Sequence, residues 1–381
     1  MSRDAVATSA AIRVLVVDDS RVAREYLTHI LEADRRIRVL DAVGSGEAAV
    51  AFVSATRPDI VLMDLHLPGI DGFEATRRIM AEAPVPIIVC TAGTSFDEVK
   101  TAMEALKAGA LTALRKPVGP MHPNADADAA TLVSMLRVLS RVPVVRRWSP
   151  SASATPATTA TPATGLSAAT ALVNGAAAQA AMLSGTPAGG PSLVAIGAST
   201  GGPPALARLL LSLPDGFNVP VVIVQHITQG FTEGFCTWLG TETHRTVRIP
   251  RHGEQLEPGV VYVAGDGAHL RVAPGGRLET STAGPQTTHR PSIGILFTSA
   301  AEVLGRRAVG VLLTGMGRDG AAELKTLADA GAMTIAQDEA SSVVFGMPGE
   351  AIALGAAQAI LPPAEIGSLL GRMAGHHQAR A

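Results

Sequence analysis

The chain has 381 residues, which at roughly 150 per domain points to two domains. Lys and Arg number 31 against 33 Asp and Glu, a formal net charge of −2, and this balance excludes a nucleic-acid binder that relies on a clear positive excess. Two cysteines exclude a disulfide framework, and 3% aromatics leave the packing of a 47% hydrophobic chain to Ala, Val and Leu.

The N-terminal MSRDAVATSA lacks the apolar core of a secretory signal. No uninterrupted apolar stretch reaches the roughly 18 residues of a membrane span. A cytoplasmic protein with no direct membrane insertion is therefore expected.

From residue 12 onward, apolar runs alternate with helical patterns. Strands are predicted at 12–17, 37–43, 59–63, 86–90 and 111–114. Helices are predicted at about 20–33, 46–55, 73–81, 97–108 and 126–140. Five such units predict a doubly wound parallel sheet, with ligands at the carboxyl ends of its strands. Asp18 and Asp19 follow the first strand, Asp64 the third and Thr91 the fourth, while Lys116 closes the fifth. Three carboxylates at one sheet edge repel one another unless a cation joins them, and a hard divalent ion such as Mg²⁺ suits oxygen ligands. Asp64 is then placed to attack a phosphoryl group, with Lys116 and Thr91 able to contact the product.

The segments VLVVDDS, DIVLMDLHLPGIDG, IIVCTAG and RKP resemble the receiver domain of bacterial response regulators. The resemblance implies a flavodoxin-like fold over 11–147, with Asp64 as phosphoacceptor. It implies Mg²⁺ held by Asp18, Asp19, Asp64 and the backbone carbonyl of His66, and phosphate sensing by Thr91 and Lys116. It also implies a sensor histidine kinase as phosphoryl donor. Receivers often carry an aromatic residue three before the lysine; Ala113 stands there instead.

Between Ser149 and Pro191 no Asp, Glu, Lys or Arg occurs. A segment of Ala, Thr, Ser, Pro and Gly cannot bury enough large apolar surface to offset its ordering entropy. A flexible linker is expected over 148–191, with one short candidate helix at 176–183.

A second α/β pattern follows, over 192–375. Strands are predicted at 193–196, 220–224, 308–313 and 332–336, and helices at about 202–212, 231–239, 293–304 and 319–330. Four short runs at 247–249, 260–263, 269–272 and 277–280 are separated by Pro-Gly, Gly-Asp-Gly and Gly-Gly, which is hairpin chemistry. The terminal Gly375-His376-His377 reads as a frayed tail.

In LVAIGASTGGPP a buried strand turns sharply into a helix. Such a turn can hold phosphate on backbone N–H groups or present a nucleophilic serine. The spacing G-x-x-x-G-G is neither a dinucleotide fingerprint nor a lysine-bearing P-loop. Ser199, His226 and Asp319 each follow a predicted central strand, so a serine, a base and an orienting acid converge on one edge. The glycines of T-G-M-G nominate the Met316 N–H as an oxyanion donor. Ser292 reads as a helix N-cap and Arg290 as a carboxylate partner. His252, His269 and His289 are scattered on predicted loops, without metal-ligand spacing.

The segments AIGASTGG, IVQHI, HRPSIGILF, VLLTGMGRDGA and TIAQDEASSVVFGMPGEA resemble the chemotaxis protein-glutamate methylesterase family, CheB. The resemblance implies a receiver joined to a Rossmann-like doubly wound hydrolase with an antiparallel hairpin insertion. It implies a triad of Ser199, His226 and Asp319, with Thr200 and Met316 forming the site and no cofactor for the esterase. The substrates implied are glutamate γ-methyl esters and glutamines of methyl-accepting chemotaxis receptors. The enzyme is expected to be a monomer. The competing reading is a catalytically weak, regulated binding module in a non-chemotactic chemosensory system.

Overall fold

The computed structural model describes residues 11–144, 190–283 and 289–378. The chain divides into two compact units between Arg147 and Trp148. Residues 148–189 of the predicted linker, with the candidate helix at 176–183, lie outside the described residues.

The first unit alternates β1 (Ile12–Val17), α1 (Arg21–Glu32), β2 (Ile37–Val43), α2 (Gly46–Thr56), β3 (Ile60–Asp64), α3 (Gly72–Glu82), β4 (Ile87–Thr91), α4 (Phe96–Ala108), β5 (Thr112–Arg115) and α5 (Ala125–Leu139). Its parallel sheet has the order β2-β1-β3-β4-β5, the doubly wound arrangement read from the strand pattern. Every residue of β3 and β4 is buried, which is why those strands read as continuous apolar runs. Ser20, Ser45, Asp71 and Ser95 start the first four helices, each side chain accepting a backbone N–H of the first turn. Each such cap contributes about 1 kcal/mol.

The second unit contains β6 (Leu193–Ala198), α6 (Gly202–Leu211), β7 (Val221–Gln225), α7 (Thr232–Thr243), β8 (Val247–Arg248), β9 (Glu254–Gln255), β10 (Val261–Val263), β11 (His269–Ala273), β12 (Arg277–Ser281), α8 (Ile293–Leu304), β13 (Ala308–Leu312), α9 (Ala321–Asp329), β14 (Met333–Gln337), α10 (Met347–Ala353), β15 (Ala359–Leu361) and α11 (Pro363–Gln378). Seven strands form one sheet in the order β15-β14-β13-β6-β7-β10-β8, and all of its pairings are parallel. Tyr262, Phe231, Phe235 and Phe297 are among its largest fully buried side chains.

Two features correct the sequence reading. Of the four short runs read as hairpin chemistry, only the last two pair antiparallel, β11 with β12. The runs at 247–249 and 260–263 instead extend the main sheet, where β10 pairs parallel with β7 and with β8. Strands of two or three residues carry too little pattern to show their direction, and the turn residues around them are compatible with either. The backbone at 375–377 is not frayed but part of the last helix, which runs to Gln378. No helix among the described residues is long and apolar enough to cross a membrane.

Candidate active site

In the first unit the strand order places β1, β3, β4 and β5 side by side, so their carboxyl ends share one edge. Asp18, Asp64 and Thr91 are buried there. The Lys116 ammonium lies 2.7 Å from Asp18 Oδ2 and 2.9 Å from Asp64 Oδ2. Burial pushes the Asp64 carboxyl above its ordinary value, and Lys116 only partly offsets that. For Lys116 burial acts downward, but the two carboxylates outweigh it and the ammonium is raised. Asp64 Oδ1 is buried with no hydrogen-bond partner among the described residues. Asp18, Asp19 and Asp64 bring one carboxylate oxygen each within 4.8 Å of one another. This all-oxygen donor set with an orphaned buried acceptor fits a hard divalent cation. The Arg24 guanidinium holds the loop below it, donating to the carbonyls of Asp18 and Asp19.

Thr91 is hydrogen-bonded to a different carboxylate. Its hydroxyl donates to Glu98 Oε1 at 3.1 Å. Glu98 also accepts from the N–H groups of Gly93 and Ser95 and from the Ser95 hydroxyl. Burial acts upward on Glu98, but the Ser95, Thr91 and Gly93 donors bring its carboxyl below the ordinary value. The exposed His66 imidazole lies 3.6 Å from the same carboxylate. Ala113 is buried within β5.

In the second unit β13, β6 and β7 are consecutive neighbours. The register pairs Ala198 with Gln225, so Ser199 and His226 emerge opposite one another, and the His226 N–H donates to the Ala198 carbonyl at 2.9 Å. Ser199 sits in a tight turn, its carbonyl accepting from the Gly202 N–H at 2.8 Å. Gly201 adopts φ of 77°, and a Cβ there would lie 2.5 Å from Val343, so only glycine suits the turn. Gln225, buried at the end of β7, ties the two loops together: its amide donates to the carbonyls of Ser199 (2.9 Å) and His226 (2.7 Å).

His226 Nε2 lies 3.0 Å from Asp319 Oδ2. The contact is close but bent away from a linear hydrogen bond, leaving Nε2 without a well-aligned partner. Asp319 is not the cap of its own helix, whose N-cap is Gly320. It closes the start of α8 instead. It accepts from the Ser292 hydroxyl at 3.0 Å, the Ile293 N–H at 2.8 Å and the Gly294 N–H at 3.2 Å. Burial acts to raise the Asp319 carboxyl; the His226 imidazole and the backbone donors outweigh it and hold it at about 2. Ser292 thus occupies the N-cap position but makes no capping bond with its side chain, because Asp319 has taken the first-turn donors.

Thr200 is buried, its carbonyl accepting from the Thr314 hydroxyl. Met316 follows Gly315, whose Cα is so close to Ser199 that an added Cβ would meet the Ser199 Cβ at 2.7 Å and Met347 Sδ at 2.6 Å. Neither the Ser199 hydroxyl nor the Met316 N–H makes a hydrogen bond among the described residues.

The histidine reading needs correction. His289 is not isolated: its ring stacks on that of His226, with centroids 4.3 Å apart and planes within 9°. His269 starts β11 and is buried, with neither ring nitrogen partnered among the described residues. A cavity of about 930 Å³ opens beside these groups, lined by His269, His289, Ser292, Arg318 and Asp319. Sequence reasoning missed His289 and Gln225. Both lie inside segments quoted for the resemblance, His289 opening HRPSIGILF and Gln225 within IVQHI, but nothing in the sequence assigned either a role.

Residues 194–370 match the family model described as CheB methylesterase, and residues 14–123 the response regulator receiver domain. The protein-glutamate methylesterase/protein-glutamine glutaminase 1 of Syntrophus aciditrophicus (strain SB) is 44% identical over 369 residues, spanning 96% of this chain and 99% of that protein. A protein-glutamate methylesterase/protein-glutamine glutaminase of Nitrosospira multiformis is 45% identical over 359 residues, spanning 94% of this chain and 96% of that one. Among solved structures, the CheB methylesterase catalytic domain of Thermotoga maritima shares 34% identity over 48% of this chain and 98% of its own, with a TM-score of 0.46.

Proposed function

The chain belongs to the CheB methylesterase family, with a response regulator receiver domain, and we propose that it hydrolyses glutamate γ-methyl esters of methyl-accepting chemotaxis receptors to glutamate and methanol and deamidates receptor glutamines, under control of phosphorylation at Asp64. The observation that carries this reading is the convergence of Ser199, His226 and Asp319 at the ends of three adjacent strands.

In this reading Ser199 Oγ attacks the ester carbonyl carbon while His226 takes the hydroxyl proton. Nε2 faces Asp319 at 3.0 Å, and in this reading the Ser199 proton goes to the other ring nitrogen, Nδ1. Asp319, ionised throughout the physiological range, orients the ring and stabilises the imidazolium without being protonated itself. The oxyanion of the tetrahedral intermediate is met by the unoccupied N–H of Met316, an interaction of roughly 3–4 kcal/mol. His226 returns the proton to the departing methoxide, giving methanol and a seryl ester. Water then attacks with the same base assisting, and the released products are the glutamate side chain and free Ser199. Thr200 shapes the turn beside the nucleophile.

In the receiver, a sensor histidine kinase donates the phosphoryl group to Asp64. Asp18, Asp19, Asp64 and the His66 carbonyl would hold Mg²⁺, which when bound supplies charge neutralisation at the transferring phosphoryl oxygens. Lys116 pairs with the new phosphate, and Thr91 leaves Glu98 to donate to it. With Ala113 in place of an aromatic, the exchange of Thr91 between Glu98 and phosphate is the residue-level readout available in this unit.

Methanol release from methylated receptor membranes tests the reading. Ser199→Ala is expected to abolish release, and release equal to wild type overturns the esterase assignment. Acetyl phosphate with Mg²⁺ is expected to raise release by the wild-type chain but not by Asp64→Asn. A response by Asp64→Asn overturns the site of phosphorylation.

A further inference from the structure

We propose that His289 is a positioning residue for the esterase, its ring stacked on His226 so that the base is held between Asp319 at its edge and a second imidazole on its face. This inference rests on the esterase reading and deepens it.

The geometry is specific. The two rings are 4.3 Å apart and nearly parallel, while His226 Nε2 lies 3.0 Å from Asp319. One contact fixes the direction of the ring edge, and the other restricts rotation of the ring about its bond to Cβ. Both derive from one short stretch of chain. His289 precedes Ser292, Ile293 and Gly294, the three residues that donate to Asp319. The segment therefore sets the base and its acid as a unit. His289 is exposed and His226 half-buried, so the outer ring shields the inner one from solvent on that side.

The stack also suits the charge that develops. When His226 takes the Ser199 proton it becomes a cation, and an aromatic face within about 6 Å attracts a cation. His289 serves this only as the neutral ring, and burial together with the His226 charge holds it below the ordinary histidine value. A metal centre is the competing use of the same groups, since His226, His289 and Asp319 bring donor atoms within 4.8 Å of one another. A histidine binds a metal in the plane of its ring. Two nearly parallel stacked planes do not share an in-plane point, so the stack opposes ligation of one ion by both.

The test compares His289→Ala, His289→Phe and His289→Asn in the full-length chain, beside Ser199→Ala, by kcat and KM for methanol release. His289→Ala is expected to lower kcat about tenfold or more with little change in KM, as loss of orientation does. His289→Phe, which keeps a stacking ring and no nitrogen, is expected to recover kcat to within about threefold of wild type. His289→Asn, which keeps a polar group and no ring, is expected to resemble alanine. Recovery by asparagine and not by phenylalanine overturns the stacking role, as does an alanine variant with wild-type kcat. In either case loss of activity in Ser199→Ala leaves the esterase reading standing, whereas a fully active Ser199→Ala overturns that reading itself. Unchanged thermal unfolding of the phenylalanine variant separates positioning from folding.

Discussion

Thr91 and Glu98 are joined by a 3.1 Å hydrogen bond from hydroxyl to carboxylate, and the same carboxylate completes the capping box of the helix that begins at Phe96. One side chain therefore both completes the start of a helix and holds the residue proposed to read the phosphoryl group. Glu98→Ala is expected to cost about 1 kcal/mol of receiver stability through the lost reciprocal half of the capping box, the Ser95 cap itself remaining. It is also expected to let Thr91 reach Asp64 more readily, so that less acetyl phosphate is needed for half-maximal phosphorylation. Urea unfolding and phosphate incorporation check the two effects separately.

Asp319 predicts a pH dependence with a definite sign. Its carboxyl is held at about 2, below its ordinary 3.8. A depressed carboxyl contributes stability that is fully present above its unfolded pKa and is lost as pH falls through the folded one. The contribution is therefore whole above pH 3.8 and disappears towards pH 2, and the shift corresponds to about 2 kcal/mol. Asp319→Asn is expected to lower stability by that order at pH 7 and to have little effect near pH 2. Denaturant titrations at the two pH values check this. Activity at pH 7 is expected to fall by roughly 10³–10⁴, as when the orienting acid of a triad is neutralised.

Gly315 offers a test of spacing rather than chemistry. An alanine Cβ would stand 2.7 Å from the Ser199 Cβ and 2.6 Å from Met347 Sδ, closer than such atoms approach. Gly315→Ala is expected to push the nucleophile away from the Met316 N–H. The expected result is a fall in kcat of about a hundredfold with the far-ultraviolet circular dichroism of the wild type. A variant with wild-type kcat overturns the placement of the oxyanion donor beside Ser199.

Much of this arrangement was legible in the residues. Apolar runs such as 193–196 and 308–313 mark buried parallel strands because both faces are covered. The turn that follows each then lies at the sheet edge, which is how Ser199, His226 and Asp319, carried on three such turns, could be grouped from the sequence. What was not legible depends on contacts between distant segments. His289 opens a recognisable segment, but its stacking on His226 is set by how the chain before α8 crosses the edge of the sheet, which no local pattern shows. Ser292 sits at the expected cap position, but its expected bond is displaced by Asp319, a competitor that only the tertiary fold brings near. The direction of Val261–Val263 is not legible in three residues between turn-forming glycines, which are compatible with either hairpin or parallel pairing; in the fold they pair parallel with Val221–Ile223.

The carboxylate that closes the start of α8 is also the anion beside the imidazole, and this double duty couples quality control to chemistry. A molecule in which that helix has come undocked has, by the same event, stripped its histidine of the group that aims it. On the proposed mechanism, loss of that docking and loss of esterase activity are then one event, because Asp319 serves both contacts.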